Sequence, residues 1–129
     1  MTEEIIILYV EDNRENRLLV RRVLEAEGFK VHEAESAAQA LESIRQSVPS
    51  LILMDINMPE IDGYTLTSRL RQNPKIRRVP IIAMTANVMR GDRERTLEAG
   101  CDGYIQKPID VDILGEQLKR FIDEVRHDG

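Results

Sequence analysis

The sequence predicts an α/β domain built on a five-stranded parallel sheet with helices on both faces. Two observations carry this. Short apolar, β-branched segments alternate five times with segments whose apolar residues recur at helical spacing, the pattern of successive β-α units. The strand segments are continuously apolar rather than alternating, as expected where both faces of a sheet are covered.

The elements follow in order. Ile5–Val10, "IIILYV", reads as a buried strand. The next segment, "RENRLLVRRVLEAEG", places Leu19, Val20, Val23 and Leu24 on one helical stripe, with Asn13 in position to cap its start and Gly28 to stop it. Lys30–Glu35 is a short second strand. Ser36 can cap a second helix with a stripe of Ala37, Ala40, Leu41 and Ile44. Pro49 punctuates, and "LILMD", Leu51–Asp55, is the third strand. A turn rich in breakers leads to a helix in "YTLTSRLRQN". Pro80 opens a fourth strand, "IIAMT". A helix is expected over Asn87–Ala99, closed by Gly100, and "YIQ" is a brief fifth strand. After Pro108 the last helix carries Val111, Leu114, Leu118, Phe121, Ile122 and Val125 on one face. The fourth helix is the weakest, with few apolar residues and an internal Gly91, a residue that costs about 1 kcal/mol relative to alanine inside a helix. It is expected to be the mobile part of the domain.

The bulk properties set limits. A chain of 129 residues suits one domain spanning 1–129, with a core over 5–125 and residues 126–129 as a frayed tail. The net charge of −5 argues against direct nucleic-acid binding. The basic stretch Arg69–Arg78 reads as a solvated face. No apolar run approaches the roughly 20 residues needed to span a bilayer, and the N-terminus has acids where a signal peptide needs positive charge, so no membrane partner and a cytoplasmic location are expected. The single cysteine, Cys101, rules out an internal disulfide and reads as a small core residue.

Function is expected where open parallel sheets bind ligands, at the carboxyl ends of the strands. Glu11 and Asp12 follow the first strand, Asp55 ends the third with Asn57 two residues on, Thr85 ends the fourth, and Lys107 follows the fifth. Taken singly, each has an ordinary structural use as a helix-end acid, a cap or a turn. Those uses are independent and do not explain why all of them fall at one edge. Three clustered carboxylates repel one another, and one lysine cannot neutralise them. A hard divalent cation with oxygen ligands can, which points to Mg²⁺. With the Lys107 charge and the Thr85 hydroxyl, the set suits a phosphoryl group, and Asp55 could itself be the nucleophile, forming an acyl phosphate.

The stretches "YVEDN", "LILMDINMPEIDG", "MTAN" and "GYIQKP" stand in the order and spacing of a response-regulator receiver domain of two-component signalling, and the sequence resembles that family from Ile5 to about Val125. The resemblance implies a three-layer, doubly wound, flavodoxin-like sheet in the order 2-1-3-4-5. It implies a signalling protein, not an enzyme in the usual sense, which catalyses only its own phosphorylation and slow dephosphorylation. Asp55 would be the phosphoacceptor, taking a phosphoryl group from a sensor histidine kinase or a histidine phosphotransfer protein. Mg²⁺ would be held by Asp12, Asp55, Glu11 (directly or through water) and the Asn57 backbone carbonyl. Lys107 would pair with Asp55 and then with the phosphoryl oxygens, its bond to Pro108 being cis. Thr85 and Tyr104 would be the switch residues. Asn57, Ala86 and Asn87 would modulate dephosphorylation, and with no carboxylate base among them self-hydrolysis would be slow. The output face would be the fourth helix, fifth strand and fifth helix, acting on a downstream effector protein or a covalently linked output domain. The forms "EDNRENR" and "MTANVMRGDRE" look most like single-domain regulators and the receivers of hybrid kinases.

Three rivals share part of this pattern. A haloacid-dehalogenase-type phosphatase needs an aspartate where Asn57 stands. A flavin carrier of the same fold needs a phosphate loop rich in Ser, Thr and Gly, not "EDNREN". A receiver-like module that binds partners without phosphorylation keeps all the residues and differs only in use.

Overall fold

The computed structural model describes residues 4–56, 63–85 and 92–128. Five strands, β1 (Ile6–Val10), β2 (Lys30–Ala34), β3 (Leu51–Asp55), β4 (Ile81–Thr85) and β5 (Gly103–Gln106), form one parallel sheet in the order β2-β1-β3-β4-β5. The connecting helices are α1 (Arg14–Ala26), α2 (Ala37–Gln46), α3 (Gly63–Arg71), α4 (Asp92–Ala99) and α5 (Leu114–Asp128), with one 3₁₀ turn at Pro74–Ile76.

Two apolar layers cover the sheet. On one face Leu8, Val10, Ile52, Met54 and Ala83 pack with Ala40 and Ile44 of α2 and Leu66 and Leu70 of α3. On the other, Ile7, Tyr9, Leu51, Leu53 and Ile82 pack with Val20 and Leu24 of α1 and Leu114, Leu118 and Ile122 of α5. Alternate residues of each central strand serve opposite layers, which is why these strands read as continuous apolar runs.

The caps form as the residue types dictate. The Asn13 side chain accepts from the Asn16 N–H, and the Ser36 side chain from that of Gln39. Gly28 closes α1 at φ +94°, a conformation that favours glycine.

The helical stripes need correction in three places. Leu19 is 51% exposed, because Val20 and Leu24, one turn apart, define the buried line of α1 and Leu19 lies about 100° off it. Val111 precedes α5 and is exposed. That helix extends to Asp128, so 126–128, read as a tail, continue it. The start expected for the fourth helix, 87–91 with Gly91, lies outside the described residues. Within α4, Thr96 is buried while Leu97 is exposed.

Arg71 is the exception in the basic stretch. It donates to the carbonyls of Gly100 (2.8 Å), Ile76 (3.0 Å) and Val79 (2.8 Å) and pairs with Asp102. Asp102 in turn accepts from the N–H of Ile81 at the start of β4. Arg69, Lys75, Arg77 and Arg78 are exposed, as expected of a solvated face.

Candidate functional site

Register brings the polar residues to one edge. Val10 lies opposite Met54, Asp55 opposite Met84, and Thr85 opposite Gln106. Glu11, Asp55, Thr85 and Lys107 are therefore the residues at which β1, β3, β4 and β5 run out. The edge is tied by backbone bonds from Glu11 N–H to the Ala34 carbonyl (2.9 Å), from Ile56 N–H to that of Met84 (3.1 Å), and from Lys107 N–H to that of Thr85 (2.8 Å).

Asp55 stands at the rim as its position in the strand requires, yet it is only 4% exposed. Glu11 is fully buried and Thr85 is 3% exposed, while Asp12 faces solvent. Lys107 Nζ donates to Asp55 Oδ1 at 3.0 Å and lies 4.0 Å from Glu11 Oε1. One carboxylate oxygen from each of Glu11, Asp12 and Asp55 falls within 4.8 Å of the others. The Lys107–Pro108 peptide bond is cis.

The electrostatics are those of crowded, buried carboxyl groups. Burial pushes the Glu11 carboxyl up to about 8; the adjacent Asp55 carboxyl adds to the rise, and Asn16 and Lys107 oppose it. The Asn16 side-chain amide donates to Glu11 Oε1 at 2.8 Å, and among the described residues no hydrogen-bond donor reaches the buried Oε2. A buried carboxylate oxygen without a donor is costly. A hard cation with oxygen ligands, set between Glu11, Asp12 and Asp55, would satisfy it.

Tyr104 is half-buried, packed against the layer beneath α2 and α3 and opposite Ala83 in the sheet. Asn57, Ala86 and Asn87 lie outside the described residues. Cys101 is buried beside the Thr67 hydroxyl, and burial raises its thiol, as expected of a core cysteine.

The structure adds residues that the strand-end reading passed over. Asn16 and Arg17, in the first turn of α1, bond to Glu11 and to the backbone that carries it. Their signal in the sequence was position: an amide and a guanidinium five and six residues after a site acid. Gly63 is the other. A Cβ there would meet the Cα of Ile56, next to Asp55, at 2.8 Å.

The response regulator receiver domain family matches residues 7–119. The polar-differentiation response regulator DivK of Brucella ovis is 40% identical over 124 residues, covering 96% of this chain and 99% of its own. DivK of Brucella anthropi is 39% identical over 118 residues, covering 92% and 96%. Among solved structures, the receiver domain of a Pseudomonas aeruginosa sensor histidine kinase, with a magnesium ion coordinated in its active-site cleft, superposes with a TM-score of 0.85 at 39% identity over 94% of this chain and 99% of that one. A CheY-like receiver domain protein from Methanospirillum hungatei gives 0.89 at 28% identity over 98% of this chain and all of its own. An aspartate, a lysine and two further acids converge at the carboxyl edge of a 2-1-3-4-5 sheet, and the chain belongs to the response regulator receiver domain family of two-component signalling.

Proposed function

We propose that this domain is a phosphorylation-dependent switch in a two-component or phosphorelay system, accepting a phosphoryl group on Asp55 from a phosphohistidine of a sensor histidine kinase or a histidine phosphotransfer protein. The observation that carries the reading is the Asp55 carboxylate, nearly buried, held by Lys107 at 3.0 Å beside an acid whose second oxygen has no donor among the described residues. An Asp55 oxygen attacks phosphorus as the P–N bond breaks, and the imidazole leaves with the electron pair of that bond. Lys107, already on Oδ1, fixes the carboxylate's orientation and can follow the new charge onto the phosphoryl oxygens. Phosphorylation replaces the single charge of the Asp55 carboxylate by the roughly two charges of a phosphoryl group, so the acidic pocket gains about one negative charge.

Glu11, Asp12, Asp55 and the backbone carbonyl of Asn57 would hold Mg²⁺, which, when bound, neutralises charge on the carboxylates and phosphoryl oxygens. Thr85 supplies a hydroxyl from the neighbouring strand end, and its movement toward the phosphoryl group, with Tyr104 turning inward, shifts the face of α4, β5 and α5 toward the form a downstream effector or linked output domain reads. Asn57, Ala86 and Asn87 set a slow self-hydrolysis. A cytoplasmic location fits a chain in which no described helix is long and apolar enough to cross a membrane.

The test is intact mass after incubation with acetyl phosphate and Mg²⁺, on the wild type and on Asp55→Asn. The expected result is a gain of one phosphoryl group that requires Mg²⁺ and is absent in the variant. No gain in either protein, with histidine-kinase donors tried as well, would overturn the reading in favour of a receiver-like binding module that works without phosphorylation.

A further inference from the structure

Glu11 and Asp12 lie in the loop between β1 and α1, so their carboxylates are placed only as well as that loop is held. Two neighbours in the first turn of α1 hold it. Asn16 Nδ2 donates to Glu11 Oε1 at 2.8 Å, while its backbone N–H donates to Asn13 Oδ1 at 2.9 Å. Arg17 Nη1 donates to the backbone carbonyls of both acids, Glu11 at 2.8 Å and Asp12 at 3.0 Å. The rest of the guanidinium is held from the other side. Arg17 Nη2 donates to Glu35 Oε2 at 3.4 Å, and Nε lies 3.6 Å from Glu33 Oε1 on β2. The Arg17 side chain is only 12% exposed, an unusual state for an arginine unless it is bridging elements.

We propose that Asn16 and Arg17 are positioning residues for the divalent-cation site. Asn16 occupies Oε1 of Glu11 and so leaves Oε2, buried and with no donor among the described residues, as the oxygen available to the cation. Arg17 clamps the two successive carbonyls, which fixes the backbone from which the Glu11 and Asp12 side chains project. The planar fork of the guanidinium is what permits this, since it reaches carbonyls on one side and carboxylates on the other at once; a lysine ammonium is a single point of charge. The inference rests on the reading of Glu11, Asp12 and Asp55 as Mg²⁺ ligands. Outer partners of metal ligands are typically worth about 10- to 100-fold in metal affinity.

Electrostatics and positioning oppose each other here, which makes the inference decidable. Removing the positive charge of Arg17 from the neighbourhood of a cation should by charge alone tighten Mg²⁺ binding. Loss of the clamp should weaken it. The experiment is calorimetric titration of the full chain with Mg²⁺, alongside the melting temperature of the metal-free protein, for wild type, Asn16→Leu, Arg17→Met and Arg17→Lys. The expected result is roughly tenfold or greater weakening in Asn16→Leu and Arg17→Met, with Arg17→Lys failing to restore wild-type affinity. A purely structural role would lower the melting temperature and leave the affinity alone. Unchanged or tighter binding in both Asn16→Leu and Arg17→Met, with the wild type binding Mg²⁺, would overturn the positioning role and leave the metal site standing. A wild type that does not bind Mg²⁺ would overturn both. If Arg17→Met does not fold, Asn16→Leu, a change at an exposed position, decides the matter.

Discussion

Replacing Glu11 by glutamine should stabilise the metal-free protein at pH 8, although the change removes a charge from a site that contains a lysine. The opposing terms can be compared. With an effective dielectric of about 20, the Asp55 carboxylate, at most 4.8 Å away, repels Glu11 by at least about 3.5 kcal/mol, and Lys107 Nζ at 4.0 Å attracts it by about 4 kcal/mol. These nearly cancel, so burial of the ionised carboxyl decides the sign. The folded protein keeps this proton to about pH 8, whereas the ordinary value is 4.5. The stability of the metal-free protein therefore falls as pH rises through that window, by on the order of 4 kcal/mol at pH 8. In Glu11→Gln the amide oxygen still accepts from Asn16, and the amide N–H₂ replaces an oxygen that lacks a donor among the described residues. The expected gain is about 2 to 4 kcal/mol at pH 8, on the order of 10 °C in melting temperature, and close to zero near pH 5. Urea denaturation in EDTA at the two pH values measures it. In Mg²⁺ at 100 times its dissociation constant, the wild type should recover about 2.7 kcal/mol that the variant does not. A Glu11→Gln protein less stable than wild type at pH 8 without metal, or a gain as large at pH 5, would refute the reasoning.

Other outcomes follow from single contacts. Arg71→Gln should cost about 2 to 4 kcal/mol by chemical denaturation, since three backbone carbonyls and Asp102 lose one shared donor, and Arg71→Lys should restore little of it. Gly63→Ala should cost about 1 to 3 kcal/mol, because the obstacle at 2.8 Å is the backbone of Ile56, and it should slow phosphoryl uptake by displacing the residue next to Asp55. Cys101 should resist alkylation in the native protein and react once the chain is unfolded in urea, as mass spectrometry would show.

The sequence alone determined the order and type of the elements, because continuous apolar strands and the 3.6-residue period are written locally. It determined which polar residues stand at strand ends, since Asp55 and Thr85 directly follow apolar runs and Lys107 follows the short segment Tyr104–Gln106. Asn13 and Ser36 were legible as caps for the same reason, as a cap acts within three residues of itself. What sequence could not supply was anything that depends on a second element. Leu19 looked like core because hydropathy shows a stripe but not which side of it meets the sheet. Arg71 looked like one more surface cation, because the carbonyls and the carboxylate it joins come from two separate places in the chain, 76–79 and 100–102. Asn16 and Arg17 looked like ordinary polar residues of a helix start. Only the packing of α1 beside β1 and β2 turns one toward Glu11 and lets the other span the loop and Glu33. The burial of Asp55 at the rim was decided the same way. A strand end is exposed by itself and becomes enclosed only when its neighbours in the sheet and the helices above them close around it.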